Sequence, residues 1–297
     1  MNPRLVPVYG ALIVVQILFA TLPVAIKLAL RDLSSPSLAL LRVSGAALCF
    51  LILHLVTRPE RVASAADYGR LFLYALFGVI LNQLLYITAL TLTTATAAQT
   101  LITAGPALTL LAAISLRRER GSGGKWAGIA LACLGALLLV GAEVGGGAGL
   151  GNLLVLLNVA SFSVYLVISR DLLERYDPLT VITWTFLFGA VGVAPVAALT
   201  GMEGLGGTSS LTWAALAWII LVPTVGGYYL NVWALKRVES SVVAVFVYLQ
   251  PMVTALLAAP VLGETVPVRL IPAALLIFAG VAVTAAEGWR VRRAPTG

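Results

Sequence analysis

The chain has one histidine, two cysteines and twelve acidic residues, and none stands where a reaction or a metal would need it. Cys49 and Cys133 lie 84 residues apart inside apolar runs. They form no CxxC pair or ligand set and read as small core residues. His54 lies toward one end of an apolar run, where packing is the ordinary reading. The acidic residues all fall in the breaks between apolar runs or close to their ends. Hydrolysis in a bilayer needs a Ser/His pair, paired aspartates or metal ligands, and nothing here assembles one. Phosphate-cradling GxGxxG and GxxxxGK(S/T) motifs are missing too, and the glycine run at 145–149 reads as a connector. No enzyme, cofactor or metal site is expected. A carboxylate buried at midspan, the usual device of proton-coupled antiporters, is also missing.

Charge is scarce as well: 10% of the 297 residues are charged and 60% are hydrophobic, with a mean hydropathy of +1.02. A soluble globule keeps a charged, wetted exterior, whereas helices in hydrocarbon present apolar outer faces. The net charge of +7 does not point to nucleic acid, because the basic residues cluster at the ends of apolar runs.

Crossing about 30 Å of hydrocarbon takes roughly 20 mostly apolar residues. Such runs fall at 6–29, 36–57, 70–92, 95–116, 125–144, 149–169, 179–200, 212–234, 241–262 and 269–288. The first is too long for a signal-peptide core and counts as a span. The breaks carry turn or charge signals, such as Ser34-Ser35-Pro36 and Asp177-Pro178. The runs are too long for barrel strands and do not alternate. With ten spans and a cytoplasmic N-terminus, 15 of the 19 Lys and Arg residues fall on the cytoplasmic side. Arg31 and Arg269 fall outside, and Lys27 and Arg42 within spans. One miscounted span would scramble that asymmetry. The predicted fold is an all-α membrane protein of ten transmembrane helices with both termini cytoplasmic, in a bacterial-type inner membrane.

An offset of 145 residues lays 78–135 over 223–280 without a gap. Pro106 then meets Pro251, Glu119 meets Glu264 and Gly135 meets Gly280. Five spans per half is an odd number, so the halves, 1–145 and 146–297, enter the membrane in opposite senses. Inverted repeats around a midplane site are a recurrent transporter plan.

These features resemble the drug/metabolite transporter superfamily, in its EamA-type branch. The resemblance is carried by Ala25-Ile26-Lys27, Leu40-Leu41-Arg42, Ala89-Leu90, Ala104-Gly105-Pro106, the Glu119 loop, Tyr248-Leu249-Gln250-Pro251 and Leu262-Gly263-Glu264. Within that branch the chain is most similar to aromatic amino acid exporters of the YddG type. The resemblance implies a cavity walled by the first, third, fourth, sixth, eighth and ninth spans.

Polar side chains inside spans line a wet path or bind neighbouring helices. On the implied cavity helices they are Gln16, Asn82, Tyr86, Gln99, Thr103, Asn158, Ser161, Tyr165, Tyr228, Asn231, Trp233, Tyr248 and Gln250. This set offers amides, hydroxyls and rings with almost no charge, which suits a solute with an aromatic or apolar body. Lys27 and Arg42 are the charged candidates near the outer mouth. They snorkel to the interface or hold a substrate carboxylate. Pro106 and Pro251 read as mid-helix kinks, a symmetric pair of gating hinges. Gly128, Ala132 and Gly135 form a small-residue face for close helix packing. Trp126, Trp213, Trp218, Trp289, Tyr68 and Tyr176, near span ends, read as interfacial anchors.

The expected function is carriage of small amphipathic solutes, aromatic or large neutral amino acids first, by facilitated alternating access. The partners are the solute and the lipid bilayer, with a monomer as the default state. Neutral sugars, drugs and other metabolites stay open as cargo. A receptor is disfavoured because no soluble domain is present to pass on a signal.

Overall fold

The computed structural model describes residues 6–57, 60–118, 121–141, 147–204, 206–237, 246–247, 249–265, 268 and 270–293. Among them there is no strand. Helices α1 (Val6–Ala29) and α2 (Ser35–Thr57) come first. A long third rod follows, made of α3 (Ala65–Ala75), a π-helical stretch (Leu76–Ile80) and α4 (Leu81–Leu92). Next are α5 (Ala95–Ile102), α6 (Gly105–Ser115), α7 (Gly123–Gly141), α8 (Gly147–Leu173) and α9 (Pro178–Thr200). The last are α10 (Ser210–Ile219), a second π stretch (Ile220–Gly227), α11 (Tyr228–Leu235), α12 (Leu249–Leu262) and α13 (Leu270–Arg293). Six rods are long and apolar enough to cross a membrane, and the bent pair α5–α6 makes a seventh. Helices α7, α12 and α13 occupy the expected fifth, ninth and tenth runs.

Local chemistry sets the starts. Ser64, Thr94, Asp177 and Ser209 are extended residues whose side chains accept from the N–H groups of Asp67, Ala97, Leu179 and Thr212. Each satisfies one of the four N–H groups that a helix start leaves open. The Ser64 cap starts the third rod five residues before the predicted 70, because hydropathy misses a polar first turn.

The proline expectation needs correction. Pro106 does not kink one continuous helix; it stands in the first turn of α6, after a break at Thr103-Ala104 that bends α5–α6 by 42°. A proline there forfeits no intrahelical bond, since that N–H would be open anyway. Pro251 likewise lies in the first turn of α12.

The π stretches at 76–80 and 220–227 overlap under the 145-residue offset. Each frees backbone carbonyls that a neighbouring hydroxyl satisfies. Ser161 Oγ donates to the Phe77 carbonyl at 2.7 Å and Thr224 Oγ1 to the Ile219 carbonyl at 2.7 Å. Pro223 lacks the N–H of an ordinary turn. At the matching place, a Cβ on Gly78 would stand 2.6 Å from the Tyr165 ring.

The packing also follows the offset. α2 lies on its counterpart α9, and α7 on its counterpart α13. α4 and α6 pack on α8, while their counterparts α11 and α12 pack on α1. The small-residue face of α7 serves α13 within the same chain: a Cβ on Gly280 would meet the Gly128 carbonyl oxygen and the Ala132 nitrogen at 2.5 Å. An aromatic seam joins the halves, with ring centroids 5.1 Å apart for Phe50–Phe186, 5.5 Å for Phe186–Tyr228 and 5.6 Å for Tyr228–Phe19.

Candidate functional site

The rods enclose a cavity of about 170 Å³ between α1, α2, α4, α5, α6, α8, α11 and α12. Gln16, Arg42, Asn82, Tyr86, Gln99, Asn158, Tyr228, Asn231 and Gln250 line it, as does Pro106 at the α5–α6 break. Of the residues that sequence reasoning did not single out, Gln83, Thr109 and Ser163 add polar groups, and Phe19, Leu22 and Phe162 add apolar wall.

The amides hold one another across helices. Asn158 Nδ2 donates to the Asn82 carbonyl at 2.7 Å, and Gln83 Nε2 to Asn82 Oδ1 at 3.0 Å. Gln99 Nε2 donates to the Phe19 carbonyl at 3.2 Å, and the side-chain amide of Gln250 donates to Gln16 Oε1. Thr109 Oγ1 donates to Ser163 Oγ at 3.1 Å. The network joins six helices around the space but uses only part of its hydrogen-bonding capacity. Gln83 Oε1, Gln99 Oε1, Tyr86 OH and Arg42 Nη1 are buried without a partner. Native interiors seldom leave such groups open, and each costs about 1–3 kcal/mol unless something binds it.

Arg42 differs most from expectation. It does not snorkel; it is 1% exposed and lines the cavity. Its Nε donates to Thr224 Oγ1 at 3.0 Å, and no carboxylate among the described residues pairs with it. The second π stretch brings Thr224 to that position.

Other candidates lie elsewhere. Thr103 is fully buried and donates to the Thr100 carbonyl at 2.5 Å. Ser161 is occupied by Phe77, as above. Tyr165 packs against Gly78, with its ring 5.5 Å from Phe162. Trp233 joins the cluster of Val8 and Leu12, and the Arg237 guanidinium stands 4.0 Å over its ring. Pro251 does not line the cavity. Tyr248 and the Glu119 loop are outside the described residues.

Lys27 lies away from the cavity, with its Nζ 3.8 Å from Glu264 Oε1. Glu264 holds the start of α5, accepting from Ala95 N at 2.8 Å, Thr96 N at 3.2 Å and Thr96 Oγ1 at 3.1 Å. A carboxylate suits the partial positive charge of a helix start, so Lys27 has a structural counter-charge. Among the expected anchors, Tyr176 is buried and donates to Asp67 Oδ2 at 2.8 Å. Trp126, Trp213 and Trp218 are between 44% and 49% exposed.

Comparison with known proteins gives this arrangement a context. Two transporters of undescribed activity from Archaeoglobus fulgidus align with most of the chain. One is 28% identical over 266 residues, 88% of this chain and 91% of the relative. The other is 24% identical over 257 residues, 86% and 91% of the two chains. A solved crystal structure, 21% identical, superposes with a TM-score of 0.67 over 96% of this chain and 98% of its own, which fixes the likeness of fold. The model of the EamA-like transporter family matches twice, over residues 7–141 and 149–286. The chain is a multi-pass membrane protein and belongs to the EamA-like transporter family.

Proposed function

We propose that this transporter carries small amphipathic organic solutes by alternating access around the central cavity, aromatic or large neutral amino acids among them, as in the YddG-type exporters it resembles. Ten spans in two inverted halves, 1–145 and 146–297, with both termini on the cytoplasmic side of a bacterial-type inner membrane, complete the reading. One observation carries it: four side chains of the cavity wall hold unpartnered polar atoms, beside a wall that joins amides and hydroxyls to aromatic and aliphatic surface. A cavity of that kind takes a ligand with a polar head and an apolar body. Transport is facilitated rather than proton-coupled, since no carboxylate of the described residues lines the space. The break before Pro106 and the helix start that holds Pro251 act as paired bending points, so Pro106→Ala and Pro251→Ala slow transport without unfolding the protein.

The test is uptake of a labelled amino-acid panel into liposomes holding the purified protein, with and without a pH gradient. Saturable uptake of aromatic or large neutral amino acids, indifferent to the gradient, supports the reading. Uptake of sugars alone, or a strict dependence on the gradient, overturns it.

A further inference from the structure

Among the described residues, Arg42 is the one charged side chain on the cavity wall. It is 1% exposed, its Nε is bound to Thr224, and Nη1 has no partner. The ionisable side chains that interact with it are the phenols Tyr86 and Tyr228. A guanidinium stays protonated even when buried, so the cavity carries an uncompensated positive charge in a medium of low dielectric. Removing two charges from water is expensive, but a charge already buried gains most from a close partner of opposite sign. A carboxylate matches a guanidinium in shape and makes a charge-assisted bond.

The opposite charge has no such place. Among the described residues an α-ammonium would find neutral acceptors and no carboxylate, the unpartnered ones being Gln83 Oε1, Gln99 Oε1 and Tyr86 OH, and Arg42 would repel it. A zwitterion leaves the cavity with its net positive charge, whereas a monoanion neutralises it. Phe19, Phe162 and Leu22 provide the apolar surface for the rest of the molecule.

We infer that the cavity selects monocarboxylates with an aromatic or branched apolar body, such as aryl-alkanoates and 2-oxo acids, over the amino acids of the same skeleton. This rests on the cavity being the solute site. Arg42 then sets specificity by net charge, beyond its bond to Thr224.

Three probes of one skeleton test it on the purified full-length protein: 3-phenylpropanoate, phenylalanine and phenethylamine. Binding is read by thermal stabilisation and by calorimetry. 3-Phenylpropanoate binds with a Kd about tenfold or more below that of phenylalanine, and phenethylamine does not bind. In Arg42→Gln that preference disappears, and in Arg42→Lys the order of the probes is kept. Equal or tighter binding of phenylalanine, or binding of phenethylamine, overturns the inference while leaving the carrier reading standing. Binding of none of the three overturns both. Should Arg42→Gln fail to fold, the wild-type series alone decides.

Discussion

Arg42 and Thr224, 182 residues apart in sequence, meet at 3.0 Å in the centre of the bundle, the guanidinium Nε donating to the threonine hydroxyl. That hydroxyl also donates to the Ile219 carbonyl at 2.7 Å, so one side chain satisfies a π turn of the second half and a cation of the first. Thr224→Val removes the acceptor and keeps the shape. The loss of a buried bond to a charged group costs about 2 kcal/mol, read as a lower melting temperature in detergent. Thr224→Ser stays close to wild type. A valine variant as stable as the parent contradicts this role.

Glu264 accepts both N–H groups at the start of α5 and sits beside Lys27. Glu264→Ala leaves those donors open and destabilises the protein by about 1–2 kcal/mol, the range for losing a helix cap. Glu264→Gln keeps one acceptor and loses less. Equal melting temperatures for the alanine and glutamine variants would show that the carboxylate does not hold the helix.

Asp32, in the turn after α1, accepts from Ser209 Oγ at 2.6 Å, Thr212 Oγ1 at 2.7 Å and Ser209 N at 2.9 Å. Those bonds, the Ser209 hydroxyl first, hold its carboxyl down at about 2. The ordinary value in an unfolded chain is about 3.9. A depressed carboxyl stabilises the folded state above the unfolded value, and the gain is lost as pH falls through the folded one. Relative to Asp32→Ala, wild type is therefore more stable near neutrality, the difference shrinks below about pH 4, and it vanishes near pH 2. Melting curves at several pH values check it; a difference that grows with acidification contradicts it.

Gly280 leaves no room against α7, where its added Cβ would stand 2.5 Å from backbone atoms. Gly280→Ala forces α13 away from α7 and costs about 1–3 kcal/mol as overpacking. A melting temperature unchanged in the variant would mean that the two helices are not packed this closely.

The helical runs were legible because spans are long and their breaks carry caps, prolines and charges. The cavity was legible only in outline. Polar residues inside apolar runs had to face something other than lipid, which brought Gln16, Asn82, Tyr86, Gln99, Asn158, Tyr228, Asn231 and Gln250 forward. Their rotational phase was not legible, since helices apolar all round do not reveal which face looks inward. On α8 the lining positions are 158, 159, 162, 163 and 166. Ser161 and Tyr165 fall off the edge of that stripe, while Phe162 and Ser163 fall within it. Gln83, beside Asn82, and Phe19, one turn from Gln16, carried the signal of a polar neighbour. The depth of Arg42 had no local signal, because it depends on α10, α11 and the π stretch between them. Nor could hydropathy show that the α5–α6 break falls just before Pro106 rather than at it.

The central claim, that this cavity carries the solute, is tested most directly by filling it. Val159 lines the space, and Val159→Trp puts an indole where the solute would sit. Wild type and variant, both folded by size-exclusion profile and reconstituted at equal density, are compared for uptake of labelled phenylalanine. The account predicts saturable uptake by wild type and a loss of about tenfold or more in the variant. Uptake by the tryptophan variant at the wild-type rate would contradict it.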